Sequence, residues 1–160
     1  MAIALVKETA DLRLGTCGPL LVNVWFREAT VPALDVLYAE QQTLIAQYGK
    51  VTFLSVAQNV PKAPGPDVAA WLKQKQLTGE QSRGTIIALT ARGLSAVIAR
   101  SFIAAVSLFS RDTYVVVKTL EEAAAAARKL PQQEAHLVNM ASLAADLHAF
   151  VELPRQITAS

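Results

Sequence analysis

Val51-Thr52-Phe53-Leu54-Ser55-Val56-Ala57 is an apolar run broken only by Thr52 and Ser55, the pattern of an interior strand covered on both faces. It predicts a central strand, and the neighbouring segments arrange around it. Upstream, Leu34, Leu37, Tyr38, Gln41, Leu44, Ile45 and Tyr48 recur at helical spacing. They follow Thr30, a candidate N-cap, and Pro32, whose missing N–H costs little in a first turn. Gly49 supplies the stop. Further back, Leu12 to Thr16 and Leu20 to Phe26 are β-prone runs joined by Cys17-Gly18-Pro19, which predicts a hairpin. Ala4 to Glu8 reads either as a further edge strand or as a frayed leader.

Downstream, Gln58 to Pro66 carries Pro61, Pro64, Gly65 and Pro66, which fix the backbone and remove donors, so a stiff, solvent-facing loop is expected. Asp67 opens a short helix through Val68, Trp71, Leu72 and Lys75, with Thr78-Gly79 as its end. Gly84 to Thr90 is a second buried strand, and Leu94, Val97, Ile98, Ser101, Phe102, Ala105 and Phe109 mark one face of a helix. Thr113 to Lys118 adds a strand, and Thr119 with Glu122 forms a capping box ahead of a helix from Leu120 to Leu130. The run Ala123 to Ala127 suits a helix that approaches its neighbour closely. After Pro131, a helix from about Gln133 to Val151 carries Leu137, Met140, Leu143, Leu147 and Phe150 on one stripe.

Alternating strands and helices behind a hairpin predict an α/β fold, a mixed sheet of about four to six strands with right-handed crossovers, plus a C-terminal amphipathic helix. The expected organisation is an α/β domain over 1–130, a helical extension over 131–153 that packs on the domain or on a partner, and a flexible tail over 154–160. In element order, and in its proline-rich loop after the central strand, the segment from Leu12 to Leu130 resembles divergent bacterial STAS-like (STAS/SEC14) domains of the anti-sigma-factor-antagonist type. That family's phosphoswitch uses an Asp-Ser-Ser-Gly-like turn where this chain has Val56 to Asp67, which contains no serine. A phosphoryl switch needs a hydroxyl to carry added charge at one place. What the resemblance implies is therefore a scaffold that binds partners without that switch.

A length of 160 residues with 52% hydrophobic content is the size at which one domain with one core is expected. A formal net charge of +2 and 6% aromatic residues give no broad footprint for nucleic acid. Cys17 is the single cysteine, which excludes an internal disulfide framework and a thiolate-cage zinc site and fits a cytoplasmic location. Lys7 and Glu8 interrupt the apolar start before a signal-peptide core accumulates. Arg100 interrupts Leu94 to Phe109, well short of the about 20 apolar residues that span a bilayer.

Candidate chemistry is sparse. His136 and His148 fall on different helix faces, so they read as ordinary helix histidines and no metal is expected. Cys17 has Arg13 and Arg27 as possible neighbours but no sequence-local base. No nucleophile elbow, P-loop or dinucleotide fingerprint is present. Arg92-Gly93, a cation and free N–H groups between a strand and a helix, is the best pointer to an anion or small ligand, against the plainer reading of a tight connection. Gln58, Asn59 and Lys62 are the candidate partner-contact residues, and Leu137, Met140, Leu143, Leu147 and Phe150 the docking or dimer stripe. Trp25 and Trp71 read as semi-buried packing. The expected function is a non-enzymatic regulatory or scaffold module acting through a protein partner or self-association, with no cofactor. The alternative is a carrier or sensor of a small apolar or anionic ligand.

Overall fold

The computed structural model describes residues 3–58, 65–75, 82–90, 114–129 and 141–156. Among them, six strands form one mixed sheet in the order β1 to β6. These are β1 (Ala4–Glu8), β2 (Leu12–Cys17), β3 (Leu20–Trp25), β4 (Val51–Ala57), β5 (Ser82–Leu89) and β6 (Tyr114–Val117). The β1–β2 and β2–β3 pairs are antiparallel, and β3 through β6 run parallel. The described helices are α1 (Val31–Tyr48), α2 (Pro66–Gln74), α3 (Leu120–Lys129) and α4 (Leu143–Glu152). This is the α/β architecture expected, with the 51–57 strand inside the sheet.

Local signals account for most boundaries. Cys17 and Leu20 close the β2–β3 hairpin around Gly18, at φ 56°, and Pro19, the two-residue turn pattern with positive φ at its first position. Thr30 Oγ1 accepts the Ala33 N–H at 3.3 Å to start α1. Gly49, at φ 79°, ends it by donating its N–H to the Ile45 carbonyl at 2.7 Å. At α3 the Glu122 N–H reaches Thr119 Oγ1 at 3.1 Å, while the Glu122 carboxylate accepts the Lys118 N–H, one residue before the cap. α2 is shorter than expected, starting on Pro66 and closing with the Lys75 N–H on the Trp71 carbonyl. Ala4–Glu8 is a paired edge strand with a bulge at Val6, where the register steps from Leu5↔Gly15 to Lys7↔Leu14. The stripe from Leu94 to Phe109 lies outside the described residues.

The strand order decides how the sheet is covered. From β3 onward each parallel strand is added on the same side of the last, so right-handed crossovers put the described connecting helices, α1 and α2, on one face. α1 lies there, packing Leu44 with Leu21, Val51 and Phe53, and Ala33 with Leu12 and Leu14. The opposite face is covered by the last two described helices. Leu120, Ala123, Ala124 and Ala127 of α3, with Leu143, Leu147 and Phe150 of α4, join Val22, Val24, Leu54, Val56 and Ile86 in one cluster. Alanines let α3 sit close to the strands, and the larger side chains of α4 fill the remaining depth. No helix among the described residues is long and apolar enough to cross a membrane.

Candidate functional site

Three places in the fold gather polar and aromatic side chains. The carboxyl ends of the parallel strands come first, because open α/β sheets bind ligands there in the crevice where strand order reverses. Here the order runs without reversal across the described strands, so that crevice is not created. The strand ends are instead stitched together: the Gln58 N–H points to the Trp25 carbonyl at 3.5 Å, and Thr90 donates its N–H and Oγ1 to the Ala57 carbonyl at 3.2 and 3.3 Å. Gln58 itself is exposed at this edge. Asn59, Lys62, Arg92 and Gly93 lie outside the described residues.

The second group centres on Arg13, which is 1% exposed beneath α4. Its Nε donates to Glu8 Oε1 at 2.7 Å, and Nη2 lies 2.6 Å from the same oxygen. Nη1 donates to the Phe150 carbonyl at 2.8 Å and Nη2 to the Leu153 and Pro154 carbonyls at 2.9 and 3.2 Å. A helix leaves its last carbonyls without intrahelical partners, and this guanidinium meets those of Phe150 and Val151 in the last turn of α4 while adding positive charge at the negative end of its dipole. Glu8 Oε2 accepts the Gln156 N–H at 2.6 Å, and Arg155 stacks 3.7 Å from the Phe26 ring centroid and donates to the Thr9 and Ala10 carbonyls. Residues 154–156 are thus held against the β1–β2 hairpin. Every Arg13 donor that is described is spent on the fold, so this cluster is a clamp and offers a ligand nothing. It also takes Arg13 away from Cys17, which is the last residue of β2 and buried in the α3–α4 core.

The third group lies on the outer side of α1 and α2. Trp71 Nε1 donates to Asp35 Oδ1 at 2.7 Å, the Tyr38 and Trp71 rings meet edge to face at 5.9 Å, and Lys75 Nζ sits 4.8 Å from the Tyr38 centroid. Tyr38, Trp71 and Lys75 are half-buried and Asp35 is exposed. The arrangement is an amphipathic patch: an indole held by a hydrogen bond, a phenol ring packed edge to face against it, and charges of both signs beside them. Such patches suit a protein partner, because ordered aromatic rings give contact area at little entropic cost.

Of the stripe singled out in the sequence, Leu143, Leu147 and Phe150 are buried against their own sheet. Leu137, Met140 and His136 lie outside the described residues. His148 is exposed on α4 and meets Glu121 of α3, Nε2 to Oε1 at 2.6 Å. That contact holds the Glu121 carboxyl below the ordinary glutamate value, chiefly through the hydrogen bond from His148 and then through a backbone hydrogen bond. Among the described residues no group of three or more His, Cys, Asp or Glu side chains could hold a metal ion. Sequence reading missed the role of Arg13 and the Asp35–Trp71 bond. The first had a signal, an arginine alternating with Leu12 and Leu14 inside a strand; the second joins two helices and had none. No family model, no curated protein and no solved structure matches this chain.

Proposed function

We propose that the protein is a non-enzymatic regulatory or scaffold module that acts through protein–protein contact, and that the α1–α2 face makes that contact. The observation that carries this reading is the Asp35–Trp71–Tyr38–Lys75 patch, preorganised by a 2.7 Å hydrogen bond and an edge-to-face ring pair. Trp and Tyr dominate the energetics of protein interfaces when they sit at the centre of a contact with charges at its rim. The resemblance in element order to STAS-like domains, which implies a scaffold that binds partners, agrees with it. So does a strand order that makes no nucleotide crevice.

The test is quantitative capture by the tagged full chain against Trp71→Ala and Gln58→Ala forms of equal stability. A partner held at fixed stoichiometry by the parent, and lost with Trp71→Ala, is the expected result. Capture by Trp71→Ala equal to that by the parent, or turnover of a metabolite by the purified chain, overturns the reading.

A further inference from the structure

The inner side of α1 covers a polar side chain without a partner. Asn23 of β3 is 0% exposed, and neither its Oδ1 nor its Nδ2 has a hydrogen-bond partner. Side chains alternate across a strand, so Asn23 shares the α1 face with Leu21 and Trp25. Its sheet neighbours there are Leu14 of β2 and Ser55 of β4. Above them, Leu37 packs against both apolar clusters of this face, and Leu44 packs with Leu21 and Phe53. Gln41 is buried on the same helix stripe, between those two leucines. The buried Asn23 carboxamide and the half-buried Ser55 hydroxyl therefore lie beneath a helix stripe that carries a second carboxamide, in a layer whose remaining residues are mostly apolar.

An unpaired buried carboxamide is costly, and native cores very rarely retain one without a guest. We infer that Asn23, with Ser55 beside it and Gln41 above it, lines an internal site for a small neutral molecule that both donates and accepts hydrogen bonds. Asn23 supplies an acceptor and a donor in one plane, and Ser55 supplies a hydroxyl that can do either. Neutrality follows from the lining: Leu12, Leu14, Leu21, Val51, Phe53 and Ile87 share this face, and an ion placed among them would go unpaired. Two sources have this chemistry, an ordered solvent molecule and an amide-sized metabolite. The site is separate from the outer Tyr38–Trp71 patch and stands or falls independently of it.

The experiment uses the full ¹⁵N-labelled chain. The Asn23 side-chain NH₂ signal is assigned by its disappearance in the uncharged variants Asn23→Leu and Asn23→Thr, and water itself is the probe, through cross-relaxation to that NH₂. Native mass spectrometry of the same unmodified protein is run in parallel. A cross-peak with the sign of a long-lived water, or a non-covalent adduct released on denaturation, is the expected result. The first identifies solvent and the second a metabolite. If the parent protein shows neither, the inference is wrong.

Discussion

The Phe150 ring lies directly on Gly15: a Cβ built on that glycine would meet Phe150 Cζ at 2.5 Å and Ile3 Cγ2 at 2.7 Å. Gly15 belongs to β2 and Phe150 to α4, so the missing side chain is what lets the last helix dock flat on the sheet. Gly15→Val should force Phe150 off the strand and destabilise the fold by about 1–3 kcal/mol, the cost of overpacking. Phe150→Ala should cost about 3–5 kcal/mol through its cavity. Because both changes act on one contact, the double variant should cost less than their sum. Denaturant unfolding of the four proteins checks this, and strict additivity would show that the two residues do not meet.

Arg13→Ala should be among the most damaging single changes, at about 3–5 kcal/mol, because it leaves the buried Glu8 carboxylate without its cation and the Phe150 carbonyl without this donor. Arg13→Met combined with Glu8→Leu removes the uncompensated charge and should recover part of that loss. Recovery should stay incomplete, since the Phe150 and Leu153 carbonyls still lack a partner. Full recovery in thermal unfolding would mean that the clamp on α4 contributes nothing beyond the ion pair.

These two relationships mark where sequence reading succeeded and where it stopped. The Val51–Ala57 run, the Thr30 and Gly49 ends of α1 and the Thr119 box were legible because each is set by a few adjacent residues. That Leu143, Leu147 and Phe150 needed cover was legible from their spacing. What covers them was not, because Val22, Val24 and Leu54 lie far from them in the chain. Arg13 and Phe150 stand 137 positions apart, and no local pattern joins them. The Asp35–Trp71 patch was invisible for the same reason, bridging 36 positions.

Acid should weaken the α3–α4 contact. The folded-state Glu121 carboxyl is held below its ordinary value, so its contribution is fully present above the unfolded-state pKa and is lost as pH falls through the folded one. Both partners are exposed, so the effect is small. A ¹³C titration should place the Glu121 carboxyl below ordinary glutamate, and His148→Ala should return it. An unchanged titration in that variant would show that the contact does not form in solution.

Removing α4 should unfold the monomer, since a chain ending at Leu130 leaves Val22, Val24 and Leu54 without the cover that Leu143, Leu147 and Phe150 give them. Circular dichroism and light scattering of that truncation should show loss of cooperative unfolding or aggregation. A folded, monomeric truncation would show that α4 is dispensable to the core.

The most direct test of the proposed contact face is a photo-crosslinker placed at Ala39, an exposed α1 position beside Tyr38, with a control at exposed Glu152 on the opposite side. The account predicts one adduct of fixed stoichiometry from position 39, absent from 152 and abolished by Trp71→Ala. Equal adducts from both positions, or an adduct indifferent to Trp71, would contradict it.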